Sequence, residues 1–237
     1  MGEFVKIVGA GSMVLAPVCF GVADEMQLVA VSNDNQVGLT DGWGEQQAVA
    51  QTHSVAAHLG LFQASSWLFL AGALLTIPAA AAVWRLTVRR SPVWAWAGAV
   101  LATLGVMGQL VHLVLNYGLQ QAYATGFDPS MGYQLDKMLQ NQLFIDAMFG
   151  PFVLMFLAPI VQAVGLRRAR VNPLWAVGTA VAFAVVAIVL GSSTWSTVLY
   201  TALWLASWTP AILATLRDVD PESARRQAAA VPAPLTS

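Results

Sequence analysis

The chain has 237 residues, of which 57% are apolar and only 10% charged, with a formal net charge of -1. Soluble domains carry about 25% charged residues, and one this poor in charge would expose apolar patches large enough to aggregate. The composition excludes an ordinary water-soluble domain and assigns the chain to a membrane.

A helix needs about 20 apolar residues to cross the hydrocarbon. In chain order, such segments cover residues 4–23, 55–84, 93–117, 142–166, 173–191 and 194–216. The predicted fold is all-α: one domain over 1–216, a bundle of six transmembrane helices. Residues 217–237, rich in Ala and Pro, are expected to be a disordered tail. Pro17, Pro78, Pro151, Pro159 and Pro210 fall inside spans, where neighbouring helices can satisfy the carbonyls a proline frees. The single cysteine, Cys19, excludes an intrachain disulfide. Gly21-Val22-Ala23 ahead of Asp24 has the pattern of a signal-peptide cleavage site. The preceding segment has only Lys6, offset by Glu3, so the first span is expected to stay as a membrane helix.

Basic residues set the direction. Of 11 Lys and Arg, ten fall on one side of these spans: Lys6, Arg85, Arg89, Arg90, Arg167, Arg168, Arg170, Arg217, Arg225 and Arg226. Lys137 falls on the other. The positive-inside rule makes the first side cytoplasmic. Both termini are then inside, residues 24–54 and 118–141 are outside, and the expected location is the plasma membrane.

Ionisable side chains within spans are costly and face the bundle interior or a cavity. At about 1.5 Å per residue, His112 lies roughly 12 Å above the span centre, Asp146 roughly 13 Å and His58 roughly 18 Å. All belong to the outer half. Gln109, His112 and Asn116 have i, i+3, i+7 spacing on the third span, and Gln142 and Asp146 have i, i+4 spacing on the fourth. Consecutive antiparallel helices usually pack together, so a His112–Asp146 contact is expected at the mouth of an outward-facing cavity. Below it, Trp67 with Phe62 and Phe69, and Phe144, Phe149 and Phe152, are candidates for an apolar lining. A His–Asp pair can equally be interhelical glue worth about 1 kcal/mol.

No metal or cofactor is expected. His53 and His58 are five apart and do not share a helical face. Haem would want two histidines at equal depth. No nucleotide-binding loop or nucleophile motif occurs, and the basic residues are too scattered for nucleic acid. Membrane lipids and a hydrophobic small molecule are the expected partners.

Ala56-Ala57-His58-Leu59-Gly60, Trp84-Arg85-Leu86, Arg89-Arg90, the run from Gly98 to Gly108 with His112, and Gly165-Leu166-Arg167-Arg168 followed by Val171-Asn172-Pro173-Leu174-Trp175 resemble a widespread group of actinobacterial polytopic membrane proteins. The resemblance covers residues 7–190 and implies fold and location, without an activity. The outer loop 24–54 and Asp146 depart from it. In plan alone, a compact bundle with an acidic residue at one membrane face is similar to small integral-membrane terpene cyclases.

These residues suit acid-initiated chemistry on an isoprenoid or other lipidic substrate. Asp146 would be the acid, poised by His112. Asn116, Gln142, Gln109 and His58 would contact a polar head, and Trp67, Phe144 and Phe149 would stabilise a cation. The alternative is a non-catalytic binding subunit or small transporter using the same cavity.

Overall fold

In hydrocarbon a backbone amide has no water to bond, so each span must satisfy its own hydrogen bonds. The computed structural model describes residues 3–31, 53–126, 143–190 and 193–217. Among these, regular structure is helical: α1 (Glu3–Val31), α2 (Leu59–Thr87), α3 (Pro92–His112), a π-helical stretch (Leu113–Gly118), short α4 (Leu119–Ala124), α5 (Leu143–Arg168), α6 (Leu174–Val189) and α7 (Thr194–Arg217). Helices α1, α2, α3, α5 and α7 are long and apolar enough to cross a membrane. Helix α6, at 16 residues, is shorter and contains no charged residue. The chain is a polytopic helical membrane bundle, as its composition requires.

Most boundaries fall within a turn of their expected places, and three differences matter. The sequence ends the first span at Ala23, whereas α1 continues for two further turns to Val31. The third span is expected to reach Tyr117 as one α-helix, but it changes to π geometry after His112. The expected tail from 218 and most of both outer loops lie outside the described residues.

Each long helix packs against the next one in the chain, and α7 returns to α1, closing a six-membered ring. Contacts at both ends show that neighbours are antiparallel. Ser54 Oγ, just ahead of α2, donates to the Ala30 carbonyl at the end of α1 (2.9 Å). At the opposite end, Gly9 of α1 faces Ala82 of α2, Arg90 Nη1 donates to the Ala169 carbonyl (2.8 Å), and the Arg168 guanidinium lies 5.0 Å over the Trp94 ring.

Helix α5 ends there in a left-handed residue, Arg170 (φ 64°). The Val171 amide bonds back to the Leu166 carbonyl (2.9 Å) and the Arg170 amide to that of Arg167 (3.0 Å). This is the Schellman pattern that satisfies orphan helix-end carbonyls. Every described lysine and arginine lies at this end, while Asp24, Glu25 and Asp146 lie in the other half. The charge segregation expected from the sequence is therefore present.

Phe20, Phe62, Phe69, Phe183, Trp204 and Trp208 fill the ring's interior. Trp96, Trp175 and Trp195 are exposed, as an interfacial belt requires. Trp208, by contrast, is a core residue at 1% exposure.

Candidate functional site at the outer end of the α3–α5 seam

A stripe of small residues on α3 lets its backbone meet that of α5. A Cβ on Gly105 would overlap the Met155 backbone, and one on Gly108 would overlap Pro151 and Phe152. Further in, Gln162 Nε2 donates weakly to the Gly98 carbonyl (3.5 Å). Small residues serve this purpose in membranes, where van der Waals contact drives helix association. The inner part of the seam is therefore closed.

On the same face, one residue outward, sits Gln109, 1% exposed. Its Oε1 is buried and has no hydrogen-bond partner among the described residues. A buried acceptor left in this state costs free energy, and Gln162 Oε1, further in along the same seam, shares it. One turn further, the His112 ring stacks on Phe152, with centroids 4.8 Å apart and planes 11° from parallel. Outward of the glycines the seam thus carries an amide, an imidazole and an aromatic ring.

The pairs Gly98–Gln162, Gly105–Met155 and Gly108–Phe152 keep one antiparallel register. Continuing it along α5 puts Asp146 level with Val114, two residues past His112. The sequence places the two at similar depth. Phe144 and Phe149 belong to α5, and Asn116 to the π-helical stretch. The side chains of Asn116, Phe144, Asp146 and Phe149, and all of Gln142, lie outside the described residues. The i, i+7 relation expected between Gln109 and Asn116 assumes an unbroken α-helix. It holds only as far as His112, because a π turn carries more residues and rotates every later side chain about the helix axis.

Two expected lining residues are elsewhere. Trp67 is 70% exposed on the outer surface of α2, whereas Phe62 and Phe69 are buried. Five residues advance an α-helix by about 140° beyond a full turn, so Trp67 cannot share a face with Phe62. His58 precedes the first residue of α2 and is exposed, with its Nδ1 3.2 Å from the Ser54 carbonyl, a local helix-start contact.

Inward of His112 the described aromatic rings pack on one another and fill the core. From His112 the rings run through Phe152, Phe156 (5.3 Å) and Phe183 (6.1 Å) to Tyr200 (6.2 Å). A branch passes from Phe183 to Trp204 (4.9 Å), which stacks on Phe20 (5.6 Å).

At the far end of these rings stands a residue the sequence places outside the membrane. The Asp24 carboxylate accepts hydrogen bonds from Thr197 Oγ1 (2.6 Å) and Tyr200 Oη (3.2 Å). Two signals could have found it. No Gly or Pro interrupts residues 24–31, and Thr197, Tyr200 and Thr201 form an i, i+3, i+4 polar stripe on α7. Among the described residues, no group of three His, Cys, Asp or Glu side chains is arranged to hold a metal ion.

No protein-family model, curated protein or solved structure matches the chain.

Proposed function

We propose that the outer end of the α3–α5 seam is a dead-end site for an isoprenoid or other lipidic molecule, on which the protein performs acid-initiated chemistry. The supporting observation is the α3–α5 register, which when continued brings the Asp146 position level with Val114, two residues past His112, on a seam where the buried Gln109 acceptor has no partner among the described residues. Asp146 is the proton donor in this reading. Protonation of a carbon–carbon double bond forms a carbocation, ring closure moves the charge, and loss of a proton ends the reaction. The net change is an isomerisation that needs no oxidant or cofactor. Phe152 and Phe156, both only partly buried, are the π faces nearest the cation in this reading.

The closed inner seam favours this reading over transport. Alternating access needs helices that part on both sides of the site, and Gly105 and Gly108 lock the two backbones together below Gln109. The compartment assigned is the plasma membrane, with the arginine-bearing end in the cytoplasm.

The test is lipid extraction from cells producing the wild type or Asp146→Asn, with mass spectrometry of polyprenyl compounds. A product formed by wild type and lost in the variant, at equal yield of folded protein, supports the reading. Equal product from both rejects Asp146 as the acid.

A further inference from the structure

A groove of about 290 Å³ lies between α2 and α3 in the arginine-bearing half of the bundle, on the opposite membrane side from the site above. Ile77, Ala81 and Trp84 of α2 and Trp96, Ala99 and Thr103 of α3 line it. It opens sideways to the surroundings: Ile77 is 54% exposed and Trp96 59%.

Its walls present hydrocarbon. The two hydroxyls in the lining, of Thr76 and Thr103, each donate to a carbonyl of their own helix, Gly72 and Ala99, at 2.9 Å. From Thr76 to Trp84 the groove extends about 12 Å along α2, close to the ~15 Å depth of one leaflet's hydrocarbon. At its polar end Trp84 and Trp96 meet edge to face, with centroids 5.4 Å apart. Indole rings favour the headgroup level of a bilayer. Arg85 continues the Ile77–Ala81 stripe by one more turn and Arg89 follows in the turn after α2, both exposed.

An apolar slot one leaflet deep, ended by an indole pair and two cations, has the shape and charge of one lipid. We infer that the groove holds an acyl chain of an anionic phospholipid from the leaflet at the arginine-bearing end, with its phosphate at Arg85 and Arg89. A second copy of the chain is a poorer occupant, because two-fold pairing of this face would oppose the same arginines across the contact.

The full-length protein in detergent would be titrated with phosphatidylglycerol and phosphatidylcholine of equal chain length and followed by native mass spectrometry. Wild type is expected to retain phosphatidylglycerol preferentially. Ala81→Phe fills the groove from an exposed position and should abolish retention of the tightly held lipid. Arg85→Gln and Arg89→Gln should each reduce the preference by ~5-fold with the groove intact, and their normal elution would show that folding is preserved. Equal retention of both lipids by wild type would overturn the proposal, as would unchanged retention in Ala81→Phe. A dimer that disappears in Ala81→Phe would overturn it in favour of the second copy.

Discussion

Asp24 and Thr197, 173 positions apart, share a 2.6 Å hydrogen bond that ties the first helix to the last and closes the ring. Interhelical bonds of this kind are worth about 1 kcal/mol in membranes. Thr197→Val should lower stability by about that amount in SDS-induced unfolding followed by tryptophan fluorescence. Tyr200→Phe, which removes the longer 3.2 Å bond, should have the smaller effect. No change in Thr197→Val would show that the contact does not hold the ring closed.

The α3–α5 seam makes a sharper prediction. Gly108→Ala puts a methyl group where the Pro151–Phe152 backbone lies, and overpacking typically costs about 1–3 kcal/mol. Gly178→Ala on α6 meets nothing within 4 Å and should be neutral or slightly stabilising, since alanine is the better helix former. The same unfolding assay compares them. Equal behaviour of the two variants would mean that α3 and α5 do not touch through their backbones.

Gln109 should separate stability from function. Replacing it with Met keeps its volume and removes a buried acceptor without a described partner, so Gln109→Met should be more stable by ~1 kcal/mol. If that acceptor serves a ligand, the same variant should lose product formation in the lipid-extract assay. A destabilised Gln109→Met would identify the amide as an ordinary structural group instead.

Orientation can be checked by labelling. In a Cys19→Ser background, Thr125→Cys should react with a membrane-impermeant maleimide added to intact cells, and Arg89→Cys only after lysis. Both positions are exposed, at opposite ends of the bundle. The reverse pattern would invert the topology assigned from the arginines.

The fold was legible because hydrocarbon imposes length and polarity on every span. Arg85, Arg89, Arg167 and Arg168 mark helix ends as plainly as any cap. For the candidate site, the sequence speaks to depth alone. Depth follows from the rise per residue, which put His112 and Asp146 at similar heights in their spans. Azimuth depends on an unbroken 3.6-residue period, and the π stretch after His112 breaks it. Trp67 failed for the related reason that an aromatic residue in a span satisfies lipid as readily as a core. Asp24 was missed because a carboxylate reads as the end of a span when the hydroxyls that receive it lie 173 positions away. Nor does local sequence distinguish Trp208, buried in the ring, from Trp96, exposed in the belt.

Helix α6 rises only about 24 Å, less than the ~30 Å of a typical hydrocarbon core. Across the ring from it, the 29 residues of α2 rise about 44 Å. The protein is therefore unequal in hydrophobic height from one flank to the other. A helix longer than the hydrocarbon core can fit by tilting, a route that does not help a shorter one, so α2 and α6 must meet the bilayer by different means.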